Sequence, residues 1–231
     1  ELKDIFPSGT VHLGGDEAPT ELWGKCPLCR EARTKTGMKD EQEQMRAFFA
    51  KTTVLLAKNG QTPQFWYEGN AGIYHPGETV YAWRQDQALQ SIEKTKKAGL
   101  NLIMASNEYC YLDFPQIQGQ RNWGWMKTTT LQKCYELDPA FGKPEKEAGH
   151  IRGVHAPVWA ERLPDLDHLL YRAYPRACAI AEAGWSPMSA RSWENFRRKL
   201  ADHRQFILKR FNYDMKRTQG NEPAFRWENN K

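Results

Sequence analysis

A chain of 231 residues with 40% apolar side chains has the length of one domain, or one and a fraction, and can bury a proper core. Its 33 basic and 28 acidic residues are interspersed and leave a net charge of +5, which excludes a single-sign tail. No apolar run approaches the roughly 18 residues of a membrane-spanning helix, so no membrane partner is expected. No signal peptide opens the chain, which starts at Glu1 and reads as a processed product or an excised piece of a longer protein. The densest basic cluster, Lys209-Arg210 with Lys216-Arg217, is accompanied by no nucleic-acid motif. It reads as a solvated face, and no nucleic-acid partner is expected. Aromatic residues make up 12%, and nine of them are Trp, whose faces suit stacking on the apolar C–H face of a sugar ring. Core filling is the competing reading for any single Trp.

Residues 10–14 form the first predicted strand. The β-prone run Thr10-Val11-His12-Leu13 leads into Gly14-Gly15-Asp16-Glu17 and delivers two adjacent carboxylates to the strand's C-terminal end. Like charges a few ångströms apart raise one another's pKa, and chains that accept this cost often use it for acid/base chemistry. A solvated turn is the competing reading. Residues 18–39 read as a loop rich in Pro, Gly, Cys and Lys. This loop holds Cys26 and Cys29 in a C-P-L-C pair. Zinc needs further ligands at suitable spacing, and Cys110, Cys134 and Cys178 are scattered. No metal is therefore expected, and a free or loosely bridged thiol pair is the reading.

A helix follows from Asp40 to Asn59. Asp40 and Glu43 make its capping box, Met45, Phe48, Phe49, Thr52, Leu55 and Leu56 keep helical spacing, and Gly60 stops it. Next come strands at Pro63–Tyr67 and Thr79–Trp83, a helix from Gln85 to Ala98, and a strongly apolar strand over Leu100–Ala105. A long loop from Ser106 to Gly149 carries Tyr109, Tyr111, Trp123 and Trp125. The last strand is Gly153–Trp159. A helix over 166–184 is interrupted at Pro175, and Ser192 caps a final amphipathic helix with Trp193, Phe196, Leu200, Ile207 and Phe211 on one face.

Alternating strands and helices predict an α/β fold with parallel strands. Asp16-Glu17, Trp66-Tyr67-Glu68, Trp83-Arg84, Tyr111-Leu112-Asp113 and Trp159-Ala160-Glu161 all fall at or just past predicted strand ends. In a (β/α) barrel those ends form the active-site rim. A doubly wound sheet also gathers its strand ends on one edge, but their spread over every strand favours a TIM-type barrel.

Four ordered motifs carry a family resemblance over residues 8–212. His12-x-Gly14-Gly15-Asp16-Glu17 resembles the signature of the family 20 glycoside hydrolases, the β-N-acetylhexosaminidases. Tyr111-Leu112-Asp113-Phe114-Pro115-Gln116 resembles the family's seventh-strand motif, and Trp159-x-Glu161 its last-strand motif. Tyr174-Pro175-Arg176 through Glu182-x-x-Trp185-Ser186-Pro187 resembles the helix and turn that follow. In the family the Asp-Glu pair ends strand four. The resemblance therefore implies the second half of the barrel: a partial (β/α) catalytic domain over 1–213, from about strand four to strand eight, with a polar tail at 214–231. The family's first-strand arginine has no counterpart here, nor do its His and Asp from the strands before the pair. Strand five usually reads Trp-Asp-Glu and here reads Trp66-Tyr67-Glu68.

The resemblance also implies a mechanism. Adjacent carboxylates do not straddle a sugar ring as an ordinary retaining pair does, and the substrate-assisted exception resolves this. Glu17 is then the general acid and base, and Asp16 orients the substrate's acetamido group. Tyr111 donates to the acetamido oxygen, and Trp66, Trp83 and Trp159 wall the pocket. Asp113 and Glu161 bind sugar hydroxyls. Packing is the competing reading for Trp83, Tyr111 and Trp159. His12 supports the rim, Arg84 pairs with a rim acid, and Glu68 is a surface acid or a brace for the pair. The implied activity is retaining exo-hydrolysis of terminal β-linked N-acetylglucosamine or N-acetylgalactosamine through an oxazolinium intermediate, without a cofactor. The implied location is periplasmic, secreted or lysosome-like. The competing function is a non-catalytic sugar-binding or assembly fragment. A lone half barrel exposes strand edges, so a homodimer or a complementing barrel half is the expected partner, besides N-acetylhexosamine glycans.

Overall fold

The computed structural model describes residues 2–120 and 124–211. Trp123, Lys216, Arg217 and the predicted tail from 214 lie outside the described residues. In chain order the elements are α1 (Leu2–Ile5), β1 (Thr10–His12), α2 (Glu21–Lys25), α3 (Pro27–Thr36), α4 (Glu41–Lys58), β2 (Thr62–Tyr67), β3 (Thr79–Ala82), α5 (Ala88–Lys97) and β4 (Asn101–Met104). They continue with α6 (Asn107–Cys110), α7 (Leu131–Tyr135), α8 (Glu145–Ala148), β5 (Ile151–Val154), α9 (Leu166–Ala173), α10 (Arg176–Trp185) and α11 (Trp193–Phe211). The five strands form one parallel sheet in the order β1-β2-β3-β4-β5. Thr10 pairs with Thr62, and Gln64 with Thr79. Each strand lies beside its sequence neighbour, as in a partial TIM-type barrel.

The chain divides into two compact units. The first comprises residues up to Ile103 together with Lys143–Arg152. The second comprises Met104–Gly142 and the residues from Gly153 onward. In the first, α4 forms where apolar spacing and a cap coincide. The Asp40 side chain accepts from the Glu43 amide at 2.8 Å, and the Glu43 carboxylate accepts from the Lys39 amide at 2.8 Å. The helix buries Met45 and Phe49, and the Phe49 ring meets the Phe65 ring of β2 at 4.7 Å. Val80, Ala82, Ile92 and Leu102 complete this core.

In the second unit Cys110, Leu112, Cys134, Leu137, Ala179, Ile180, Ala183 and Phe196 form a buried cluster. Tyr135 packs on Phe196 at 4.8 Å and on Trp193 at 5.2 Å. The interruption expected at Pro175 is present as the break between α9 and α10.

Several expected boundaries move. Residues 18–39 carry α2 and α3 instead of a loop: Pro27 takes the first helical position of α3, and Gly37 closes it with φ +71°. The expected loop from Ser106 to Gly149 contains α6, α7 and α8, each too short for its apolar spacing to register. Thr130 caps α7 by accepting from the Lys133 amide at 3.1 Å. The last strand ends at Val154 instead of reaching Trp159. Pro157 offers no amide to a ladder, and its carbonyl instead accepts from the Leu112 amide at 2.9 Å.

The cap on α4 predicts that Asp40→Ala lowers stability by about 0.5–2 kcal/mol while Asp40→Asn stays near the parent. Urea midpoints of the three chains check this.

Candidate active site

The carboxylate pair owes its position to a turn that β2 holds. Past the end of β1 the Leu13 amide donates to the Gln64 carbonyl at 2.8 Å, and the Gly14 carbonyl accepts from the Trp66 amide at 3.0 Å. The Gly14 amide donates to His12 Nδ1 at 3.1 Å. Gly14 and Gly15 then take φ of +71° and +97°. A Cβ on residue 15 would lie 2.6 Å from Phe49 Cζ, so only glycine fits there. Glu17 also sits in the left-handed region, at φ +48°. A non-glycine residue rarely accepts that conformation, and when it does the site is often functional. Asp16 is half-buried and Glu17 is exposed.

Around this turn the first unit gathers a polar and aromatic cluster. Arg84 lies 3.8 Å from the Glu17 carboxylate and 3.1 Å from that of Glu68. The other Glu68 oxygen accepts from Trp83 Nε1 at 2.6 Å. The Arg84 guanidinium carbon stacks 4.1 Å from the centroid of the Trp83 ring. The expectation that Arg84 pairs with a rim acid is met by two acids. Glu68, read as a surface acid or a brace, is half-buried and holds both Trp83 and Arg84. Trp66 is buried against His12 at 5.0 Å and Tyr81 at 5.6 Å. His12 thus supports the strand end through its ring face and its Nδ1.

The second unit holds the remaining predicted residues. Tyr111 and Asp113 do not stand at a strand end: β4 stops at Met104, and the one-turn helix α6 intervenes. Tyr111 is buried and meets Trp159 edge-on at 6.1 Å and Phe114 at 5.5 Å. Trp159 is 37% exposed, and Glu161 is exposed in the 3-10 turn Ala160–Arg162. Asp113 is buried, and its Oδ1 has no hydrogen-bond partner among the described residues. Burial pushes its carboxyl up to about 6; Glu161 adds to the rise and Arg176 opposes it.

Arg172 and Arg176 hold this segment from beneath. Both are buried. Arg172 donates to the Asp113 carbonyl at 3.3 Å, and Arg176 donates to the Leu112, Thr129 and Arg172 carbonyls. Beyond the motif that contains Arg176, sequence reasoning assigns no role to Arg172 or Arg176. Two arginines four residues apart in otherwise apolar helices were the one available signal. Among the described residues no group of three or more His, Cys, Asp or Glu side chains is placed to hold a metal ion, and no helix is long and apolar enough to cross a membrane.

The family model "Glycosyl hydrolase family 20, catalytic domain" matches residues 1–188. The chain belongs to glycosyl hydrolase family 20. A relative, the beta-hexosaminidase of Akkermansia muciniphila, is 94% identical over all of this chain and 47% of its own length. A crystal structure of a beta-N-acetylhexosaminidase is 93% identical, with a TM-score of 0.93 over 98% of this chain and 48% of that one. The family 20 β-N-acetylhexosaminidase of Streptomyces coelicolor is 27% identical, with a TM-score of 0.70 over 92% of this chain and 40% of its own. The chain spans about half the length, or less, of the relatives it matches.

Two outcomes follow from this geometry. Gly15→Ala meets both the left-handed backbone and the Phe49 ring, so it lowers stability by roughly 1–3 kcal/mol, read as a drop in Tm. Asp113 titrates near 6 when folded against an ordinary 3.8, so the folded chain binds the extra proton in that window and stability falls as pH rises through it. The full loss above the window is roughly 3 kcal/mol. Asp113→Asn removes that slope: its Tm exceeds the parent's at neutral pH and converges with it in acid, whereas parallel Tm profiles would refute the assignment.

Proposed function

We propose that the chain carries the acid/base centre of a β-N-acetylhexosaminidase, one that removes terminal β-linked N-acetylglucosamine or N-acetylgalactosamine with retention. The observation that carries this is the pair Asp16-Glu17, set in a glycine turn at the end of β1 with Glu17 left-handed, exposed and beside Arg84. Membership of family 20 supports the substrate class.

On this reading the substrate supplies its own nucleophile. The acetamido carbonyl oxygen attacks the anomeric carbon as the glycosidic bond breaks, giving an oxazolinium intermediate. Glu17 protonates the leaving oxygen and then takes a proton from the attacking water. The Asp16 carboxylate accepts from the acetamido N–H and offsets its developing positive charge. The Tyr111 hydroxyl donates to the acetamido oxygen. Trp66, Trp83 and Trp159 flank the acetamido group and the ring face, and Asp113 and Glu161 bind hydroxyls. Glu68 and Arg84 hold Trp83 in place and do not touch the reacting atoms. No step requires a cofactor.

A second reading also has an observation behind it. The chain covers 47% of its 94%-identical relative. These residues then bind an N-acetylhexosamine ring without cleaving it unless a complementing barrel half or a second copy completes the site.

A chromogenic N-acetylglucosaminide assay separates the two. General acid help is worth about 10²–10⁴-fold, so Glu17→Gln lowers turnover by about that factor on the first reading. Equal rates in the parent chain and Glu17→Gln would sink it. Saturable binding of N-acetylglucosamine with no turnover in either chain supports the second.

A further inference from the structure

Five free cysteines fall into two kinds. Cys110 and Cys134 are buried, and burial pushes the Cys110 thiol well up and the Cys134 thiol up to about 11. Cys178 is half-buried, and burial likewise pushes it up to about 11. These thiols are protonated at neutral pH and chemically quiet. Cys26 and Cys29 differ in setting. Both are partly exposed, Cys26 at the N-cap of α3 and Cys29 one turn in.

Pro27 takes the first position of α3 and fixes the turn between the two sulfurs. One helical turn, about 5 Å, falls inside the Cα separation of roughly 4.4–6.8 Å that a disulfide spans. Interaction with Cys29 lowers the Cys26 thiol from its ordinary value, and interaction with Cys26 raises that of Cys29. The helix is anchored behind the pair. Arg33 donates to the Trp23 carbonyl at 3.3 Å and to the Gln44 side chain at 2.8 Å, and pairs with Glu41 at 3.1 Å. Among the described residues no third Cys, His, Asp or Glu joins the pair to make a metal site.

We infer that Cys26 and Cys29 are a dithiol–disulfide exchange site, with Cys26 the attacking and Cys29 the resolving thiol. The co-reactant is a low-molecular-weight disulfide. The Cys26 thiolate attacks one sulfur of that disulfide, its S–S bond breaks, and the departing thiolate takes up a proton. Cys29 then loses its proton and attacks the Cys26 sulfur, releasing the second thiolate, which is protonated in turn. Two cysteine thiols are oxidised to one disulfide, and the external disulfide is reduced to two thiols. Cys26 sits at the N-cap of α3, nearer the helix's positive end than Cys29, and this sets the direction of attack; Cys110, Cys134 and Cys178 stay out of the exchange.

The test uses the full 231-residue chain, oxidised glutathione as probe and peptide mass spectrometry as readout. Brief iodoacetamide treatment at neutral pH is expected to label Cys26 at least about tenfold faster than each other cysteine. Oxidised glutathione is expected to give the Cys26–Cys29 cross-linked peptide, reversed by dithiothreitol. Cys29→Ser traps one glutathione on Cys26, and Cys26→Ser leaves Cys29 unmodified over the same time. Any of four results would overturn the assignment: equal labelling of Cys26 and Cys29, a persistent dithiol in oxidised glutathione, an adduct that forms first on Cys29, or zinc retained by the pair after purification. The parent-chain measurements decide the matter even if a variant folds poorly.

Discussion

Phe49 fills the space where a side chain on residue 15 would otherwise project. That contact joins the core of the first unit to its chemistry. The ring belongs to α4, packs on Phe65 of β2, and comes within van der Waals distance of the Gly15 backbone. The close approach requires a residue without a Cβ, and the turn also requires positive φ. With both conditions met, the chain leaves β1 abruptly and Asp16-Glu17 emerge at the strand end instead of continuing along it. Helix packing, strand termination and carboxylate placement thus depend on one missing methyl group.

The two units position their side chains by different means. In the first, partly buried charged partners do the holding: Glu68 and Arg84 fix Trp83. In the second, the arginines are buried. Arg176 has no exposed surface and spends its donors on backbone carbonyls, including that of Leu112. A buried guanidinium that lost those acceptors would strand a charge in the core, so the backbone beside Asp113 has little freedom to move. The same burial leaves one Asp113 oxygen without a hydrogen-bond partner among the described residues and raises its pKa.

Much of this was legible in the residues. Short apolar, β-prone runs located the strands, the Asp40–Glu43 box located α4 to within a residue, and the Gly-Gly-Asp-Glu run located the turn that carries the carboxylate pair. What stayed hidden has physical reasons. One-turn helices such as α6 are shorter than the period that reveals them, so Tyr111 was assigned to a strand end. Pro157 removed a donor from what read as a continuing strand. Burial of a charge leaves no mark in apolar periodicity, so Arg172 and Arg176 passed as ordinary helical residues. The two readings of Glu68, a surface acid or a brace for the pair, are not separable in the sequence; its partners in the structure are Trp83 and Arg84.

The hold on Trp83 has a further consequence. Glu68 fixes the edge of the indole through its N–H, and Arg84 lies across one face. Two restraints in different directions immobilise both torsions of the side chain, so the loss of rotamer entropy is incurred when the chain folds. A molecule that meets this ring meets one already oriented, and the ordering cost that would otherwise weaken its association has been met beforehand.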